Sequence, residues 1–259
     1  MNKKKVAIFI IAYQAVNTLI NAIERIPDRI KKDCEEIFVF DDCSDDNTYY
    51  AGLGFKAESG MRNLNIYKNP KNLGYGGNQK NGYNYAIEKE YDIVVMLHGD
   101  VQYAPEEIPN LIEPLFKEEA DAVFGSRFMN NPLKQGMPVW RYIGNRILTW
   151  AENRVLGLNL SEFHSGFRAY SVSSLKKIPF NLAADDYNFD TDIVIQLKLK
   201  GLRIKEIPIP THYGPESHQI PFSKSFKYGL NIFKSLFQYI LTKKGMVKIK
   251  KFDVSQSDC

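Results

Sequence analysis

Read as a pattern of apolar and polar positions, the chain opens with Val6-Ala7-Ile8-Phe9-Ile10-Ile11-Ala12, a run with no polar member. A continuous β-branched run of this kind predicts a strand buried on both faces. It stops at Tyr13. Asn17-Thr18 then open a helical pattern, with Leu19, Ile20, Ile23 and Ile26 on one face and Pro27 ending it. Glu36-Ile37-Phe38-Val39-Phe40 and Leu64-Asn65-Ile66-Tyr67 predict two more strands, each running into a polar cluster. A helix through Tyr83, Ala86 and Ile87 delivers the chain to Val94-Val95-Met96-Leu97, a strand that breaks off at His98. Pro105-Glu106-Glu107 starts another helix, with Pro in its first turn and acids near the positive end of its dipole. Ala120-Asp121-Ala122-Val123-Phe124-Gly125 is the next strand.

Strict alternation of strand and helix predicts an α/β fold with a mostly parallel, Rossmann-like sheet, right-handed crossovers and helices on its flanks. Such a sheet gathers its loops along the carboxyl edge. The polar clusters after residues 12, 40, 67 and 97 are therefore expected to converge in space. Scattered polar turns would not need to converge, so the pattern predicts a site.

Composition narrows the class. With 259 residues, 44% hydrophobic and 25% charged, the chain can bury a sizeable core, and wholesale disorder is excluded. A net charge of +4, dispersed along the chain, does not suit a nucleic-acid binder. Cys34, Cys43 and Cys259 have neither paired nor metal-ligand spacing, which fits a reducing compartment. The N-terminus is basic but lacks a small-residue cleavage site, and no run approaches the roughly 18 apolar residues that span a bilayer. A cytoplasmic protein is expected.

The clusters differ in chemistry. Asp41-Asp42-Cys43-Ser44-Asp45 places acids and a hydroxyl at a strand end, suited to ribose or base contacts or to capping the helix near Asn47. Asn72-Leu73-Gly74-Tyr75-Gly76-Gly77-Asn78 enters a helix through glycines, which let backbone approach a ligand closely or simply form a turn. Gly99-Asp100-Val101-Gln102 offers two oxygen donors two residues apart, a set suited to Mg²⁺ or Mn²⁺ completed by substrate phosphates and water. His98 is either a third, softer ligand or a hydrogen-bonded imidazole at a strand end.

Together these residues resemble the family 2 glycosyltransferases of GT-A fold, of the dolichyl- or polyprenyl-phosphate sugar synthase type. Ala12-Tyr13 looks like the end of the first strand facing the nucleotide base. Asp41 to Thr48 is similar to the family's D-D-x-S-x-D-x-T, Asn72 to Gly77 to its N-x-G-x-G-x, and His98 to Glu106 to its D-A-D-x-Q-x-x-P-E. Gly125-Ser126-Arg127, Arg141 with Asn145, Glu162-x-x-Ser165-Gly166-Phe167-Arg168, Phe189-Asp190-Thr191-Asp192 and Gly201 to Ile209 continue the likeness in order. It covers about residues 5–220. His98 stands where the family has the first aspartate, Glu162 where it usually has Asp, and His212 and His218 near its last basic residues.

The resemblance implies inverting transfer from a nucleotide-diphosphate sugar to a lipid phosphate or a glycan precursor. It implies donor contacts from Ala12, Tyr13, Asp41, Asp42, Ser44, Gly74, Gly76, Gly99, Asp100, Arg127 and Arg141, and a Mg²⁺ or Mn²⁺ ion on Asp100 and Gln102 with His98 beside them. Arg127, Arg141 and Arg168 are candidate phosphate contacts, Arg168 also a candidate catalytic residue, and one of the three is expected to be only an ion pair. Asp190 or Asp192 is the candidate base if the acceptor is a hydroxyl, unless they cap the helix they open. A lipid phosphate needs positioning more than deprotonation. Sugar nucleotidyltransferases share the sheet plan but open with a glycine-rich, arginine-bearing loop, where this chain has Ala12-Tyr13-Gln14-Ala15. A non-catalytic sugar-nucleotide binder of the same fold is the second reading, prompted by His98.

Residues 1–220 are thus expected to form the GT-A domain, with a nucleotide half to about 126 and an acceptor half from about 127. Residues 221–259 form an amphipathic basic helix and tail. Phe222, Phe226, Leu230, Phe233, Phe237 and Leu241 make its apolar stripe, with Lys224, Lys227 and Lys234 off it and Lys243, Lys244, Lys248, Lys250 and Lys251 following. Either the stripe packs on the domain, or residues 222–251 lie on an anionic membrane at its inner face.

Overall fold

The computed structural model describes residues 4–211, 213 and 222–256. Within them a seven-stranded sheet has the order β3-β2-β1-β4-β6-β5-β7. The strands are β1 (Val6–Ala12), β2 (Glu36–Asp41), β3 (Leu64–Lys68), β4 (Ile93–His98), β5 (Ala122–Ser126), β6 (Arg168–Ser171) and β7 (Ile204–Pro208). The helices are α1 (Leu19–Glu24), α2 (Asp28–Asp33), α3 (Thr48–Ser59), α4 (Gly74–Glu88), α5 (Ile108–Phe116), α6 (Val139–Leu156), α7 (Val172–Leu175), α8 (Phe189–Leu199) and α9 (Phe222–Lys243). The two expected halves share this sheet: β5 comes from the first, β6 and β7 from the second.

The apolar run of β1 holds the centre because every one of its residues is buried. Successive side chains enter opposite layers, as strand geometry requires. Ala7, Phe9 and Ile11 pack with α4, α6, α8 and α9, while Ile8, Ile10 and Ala12 pack with α1 and α5. The parallel register aligns the strand ends: Ala12 pairs with Asp41, Asp41 with Lys68, and Ile11 with His98. Four polar clusters thereby share one edge, as the alternation predicts.

Among the elements that the pattern does not predict are α2 and β6. Pro27 ends α1, but its extended ψ of 137° also launches α2. β6 runs antiparallel between β4 and β5, placing Arg168 opposite both Met96 and Phe124. It is four residues long and begins with a charge, so no apolar run marks it.

The α9 stripe corrects one expected alternative. Ile232, Ser235, Leu236 and Tyr239 face the domain, whereas Phe226, Leu230, Phe233 and Phe237 are exposed. Both rows recur at helical spacing, so periodicity alone does not choose between them. The docked face is held by Asp192, which accepts from Ser235 Oγ at 2.8 Å and from Lys251 Nζ at 2.8 Å.

Gly82 of α4 sits where an added Cβ would meet the Phe9 ring at 2.2–2.5 Å. Helix propensity alone favours Ala by about 1 kcal/mol. Overpacking dominates here, so Gly82→Ala is expected to destabilise by about 1–3 kcal/mol in urea unfolding. A stabilised variant would contradict this packing.

Candidate active site

The β2–α3 loop is first a clamp on the turn after β1. Ser44 Oγ accepts from Gln14 N at 2.8 Å, Thr48 Oγ1 from Ala15 N at 2.8 Å, and Asp46 Oδ2 from Val16 N at 3.3 Å. Gln14 and Cys43 both have positive φ, so each side of the clamp makes a sharp turn. The hydroxyl of Ser44 also donates to Asp41 Oδ1, and its amide donates to Oδ2 at 3.2 Å. Burial pushes the Asp41 carboxyl up despite those bonds and nearby Lys68. Asp41, Ser44 and Ala12, expected on the ligand, therefore face inward; the Ala12 carbonyl is taken by Asp42 N. Helix capping falls to Asp46, which accepts from Thr48 N at 2.9 Å, while the Asn47 side chain makes no cap bond.

Asp42 points the other way. Its Oδ1 accepts from Asn69 Nδ2 and Leu73 N, both at 2.9 Å, and its Oδ2 from Gly74 N at 3.0 Å. It thus ties the second cluster to the third and reaches the cavity wall. The glycine loop approaches chain rather than open space. Gly76 N and Gly77 N donate to the Asp185 carbonyl at 2.7 and 3.1 Å, and a Cβ on Gly76 would lie 2.4 Å from the Ala184 carbonyl oxygen. Gly74 remains on the cavity wall; Gly76 does not.

At the end of β4 the chain turns through Val101, whose φ of +54° is strained for a β-branched residue. The turn sets Asp100 and Gln102 on the same wall, with Asp100 Oδ1 accepting from Gln102 N at 3.1 Å. Among the described residues no three His, Cys, Asp or Glu side chains gather as a metal cage. The donor set, one carboxylate and one carboxamide from a single turn, fits a hard cation that fills its shell with ligand oxygens. His98 Nε2 lies 3.4 Å from the Tyr75 hydroxyl. Burial lowers the His98 pKa, while Asp100 and Asp190 oppose that shift without cancelling it, so the neutral ring is favoured.

Asp190 occupies the cavity floor. Its Oδ2 accepts from the Tyr75 hydroxyl at 3.1 Å, and its Oδ1 lies 3.4 Å from Arg168 Nη1. Burial, then the Asp190 charge, push the Tyr75 hydroxyl well above its usual range, so it stays a donor. Asp192, two positions on, points away. It is fully buried and ligated by Ala184 N, Asn188, Ser235 and Lys251. Its expected catalytic role is corrected to a structural one: residues two apart on a helix face nearly opposite directions.

The arginines divide three ways. Arg168 is fully buried, off the cavity wall, and bonded to main-chain carbonyls and Asp190, which corrects its expected catalytic role. Arg127 lines the cavity but pairs with Glu162, donates to Tyr213 Oη at 3.2 Å and to the His164 carbonyl at 3.2 Å. Arg141, in the first turn of α6, also lines it. Burial lowers its pKa, and the nearby Arg127 charge adds to that, a setting that favours an anion between the two.

The cavity holds about 1000 Å³. Of the expected residues, Tyr13, Asp42, Gly74, His98, Gly99, Asp100, Gln102, Arg127, Arg141 and Asp190 reach its wall. Ala12, Asp41, Ser44, Gly76, Arg168 and Asp192 do not. Sequence reasoning missed the aromatic lining of Tyr75, Tyr103, Tyr187 and Tyr228, although Tyr75 lies inside the glycine loop and Tyr103 inside the stretch His98 to Glu106. His212 and His218 lie outside the described residues.

Residues 7–179 match the sequence model of Glycosyl transferase family 2. The chain is 29% identical to the UDP-N-acetylglucosamine–dolichyl-phosphate N-acetylglucosaminyltransferase of Methanococcus voltae, over 95% of this chain and 99% of that one. It is 28% identical to the undecaprenyl-phosphate mannosyltransferase of Micrococcus luteus, over 79% and 82%. Its fold is that of glucosyl-3-phosphoglycerate synthase from Mycobacterium tuberculosis, solved with Mn²⁺, UDP and phosphoglyceric acid. The TM-score is 0.67 at 18% identity, covering 95% of this chain and 80% of that one.

Lys251→Met leaves the Asp192 carboxylate buried without its cation. It is expected to lower stability by about 3 kcal/mol in denaturant unfolding. A change below about 0.5 kcal/mol, the ordinary range of surface substitutions, would show that this pair does not hold the C-terminal segment.

Proposed function

The chain belongs to glycosyl transferase family 2, and from that premise we propose that it moves a sugar, with inversion, from a nucleotide-diphosphate sugar onto a polyprenyl phosphate. The observation that carries the acceptor is the mouth of the cavity. Trp140, Ile147 and Leu148 of α6 and Phe226, Leu230 and Phe233 of α9 line it together. Beyond the wall the rows continue outward as Val139, Ile143 and Trp150 on α6 and Phe237 on α9, with Trp150 67% and Phe237 61% exposed. Apolar patches of this extent mark a binding surface. Such apolar side chains suit an isoprenoid chain, and the exposed ones suit a bilayer. Exposed Arg146, Lys227, Lys234, Lys243 and Lys244 flank the rows, and each such cation near an anionic surface is worth about 1 kcal/mol. No helix among the described residues is long and apolar enough to cross a membrane. The reading is peripheral binding at the inner membrane face. The Methanococcus and Micrococcus relatives, a dolichyl-phosphate and an undecaprenyl-phosphate transferase, support a lipid-phosphate acceptor.

The donor takes the opposite wall, with the nucleotide near Tyr13 and Asp42 and the diphosphate near Asp100. Bond breaking leaves new negative charge on the nucleoside diphosphate, and stabilisation is needed only then. A divalent cation, Mg²⁺ or Mn²⁺, on Asp100 and Gln102 would supply Lewis acidity there. Arg141 and Arg127 orient the acceptor phosphate, already an anion, toward the anomeric carbon. Tyr75 and Arg168 hold Asp190 in place beneath the sugar.

Asp100→Ala is expected to lower metal-stimulated transfer by at least about a hundredfold while leaving the fold intact, since it removes the one carboxylate of the ion site. Unchanged transfer would sink the metal assignment. The paired change Trp150→Glu and Phe237→Glu is expected to abolish flotation with phosphatidylglycerol vesicles, because each buried aromatic contributes about 2 kcal/mol or more. Undiminished flotation would move the membrane face elsewhere.

A further inference from the structure

Glu152 is an acid that α6 buries completely. An apolar residue would fill its place without the desolvation cost of a carboxylate. Its Oε1 accepts from Thr191 Oγ1 at 3.1 Å. Its Oε2 lies 2.9 Å from His164 Nε2, within ion-pair reach, although the bond direction is off and neither atom meets hydrogen-bond geometry. The His164 side chain is only 5% exposed, stands on the cavity wall, and leaves Nδ1 buried without a partner.

The backbone around this ring is fixed. The His164 carbonyl accepts from Arg127 Nη2 at 3.2 Å, and the carbonyls on either side, Phe163 and Ser165, accept from Arg168 at 2.6 and 2.7 Å. The Tyr228 ring meets the imidazole edge-on at 5.7 Å. His164 thus lines the cavity with a carboxylate behind one ring nitrogen and a second, buried nitrogen that has no partner.

We propose that His164, oriented by Glu152, donates from Nδ1 to the phosphate of the lipid acceptor, an inference that rests on the acceptor reading above. Arg127 and Arg141 stand on the same wall. An anion between them accepts from Nδ1–H while Nε2 stays against the Glu152 carboxylate. His164 is then a binding residue and Glu152 a positioning residue. No bond is made or broken in this step; it places the nucleophile.

The test uses the full chain, a nucleotide-sugar donor that wild type turns over, and farnesyl phosphate as acceptor, with farnesol as control for binding. His164→Phe is expected to raise the farnesyl phosphate KM by at least about tenfold, the worth of one hydrogen bond to a charged group, with the donor KM within about twofold. His164→Asn, whose amide can donate near the Nδ1 position, should recover most of that loss, and Glu152→Gln should fall between. Should His164→Phe fail to fold, the isosteric Glu152→Gln carries the same comparison. Unchanged acceptor KM, or a fall in kcat with both KM values unmoved, overturns the pair's role. Wild type that binds farnesyl phosphate no tighter than farnesol fails the acceptor reading and the proposal with it. A wild-type preference that His164→Phe leaves intact fails the pair alone.

Discussion

A guanidinium that never meets solvent sets the geometry of the cavity. Arg168 lies mid-sheet between Met96 and Phe124, stacked 4.4 Å over the Phe124 ring. Its donors go to the carbonyls of Phe163 and Ser165, to the Tyr170 hydroxyl at 3.4 Å and to Asp190. A buried cation is tolerable only when every donor is placed, and deleting one partner of such a pair costs about 3–5 kcal/mol. Burial alone would lower its pKa; Asp190, foremost among its neighbours, reverses that, and the group stays charged. The consequence is spatial. Residues 163–166 cannot shift without breaking these bonds, and they carry His164, hold Arg127 through a carbonyl, and place Gly166 directly under the His98 ring. Both ends of the cavity are referenced to one side chain.

That arrangement explains which features were legible. Strands buried on both faces announce themselves as apolar runs, and parallel alternation then dictates where their ends meet, so the edge carrying Tyr13, Asp42, Gly74 and Asp100 could be located before any coordinates. Phase could not. Asp41 and Asp42 are neighbours at a strand end and necessarily point to opposite sides; composition does not say which side is the cavity. Asp190 and Asp192 are separated by the same ambiguity on α8, and the two apolar rows of α9 repeat it on a larger scale. Arg168 was hidden for a further reason: its partners are mostly backbone carbonyls, which have no sequence signature.

Motif residues here hold loops at least as much as they face the cavity. Ser44, Asp46 and Thr48 spend their oxygens on three consecutive amides, those of Gln14, Ala15 and Val16. Asp42 does the same for Leu73 and Gly74, and the glycines of the third loop let it close on residues 184–186. These cross-links tie the loop after β2 to those after β1 and β3, and the loop after β3 to the segment before α8. The Asp100–Gln102 turn stores strain at Val101, of order 1–3 kcal/mol, and persists only where surroundings over-determine it. Burial of the Val101 side chain and the Asp100–Gln102 bond offset part of that cost.

The state of Asp190 bears on which acceptor this site suits. A general base must offer a free lone pair within reach of the proton it takes. Asp190 presents a guanidinium against Oδ1 and a permanently protonated tyrosine on Oδ2, so both oxygens are engaged before any substrate enters. Asp192, its sequence neighbour, is locked to the C-terminal segment by Lys251. Of the two acids on this helix, Asp190 is the one on the cavity wall, and each of its oxygens already has a side-chain partner. An acceptor that arrives as an anion needs neither; it needs cations and apolar surface, and Arg127, Arg141 and apolar side chains of α6 and α9 line the same cavity.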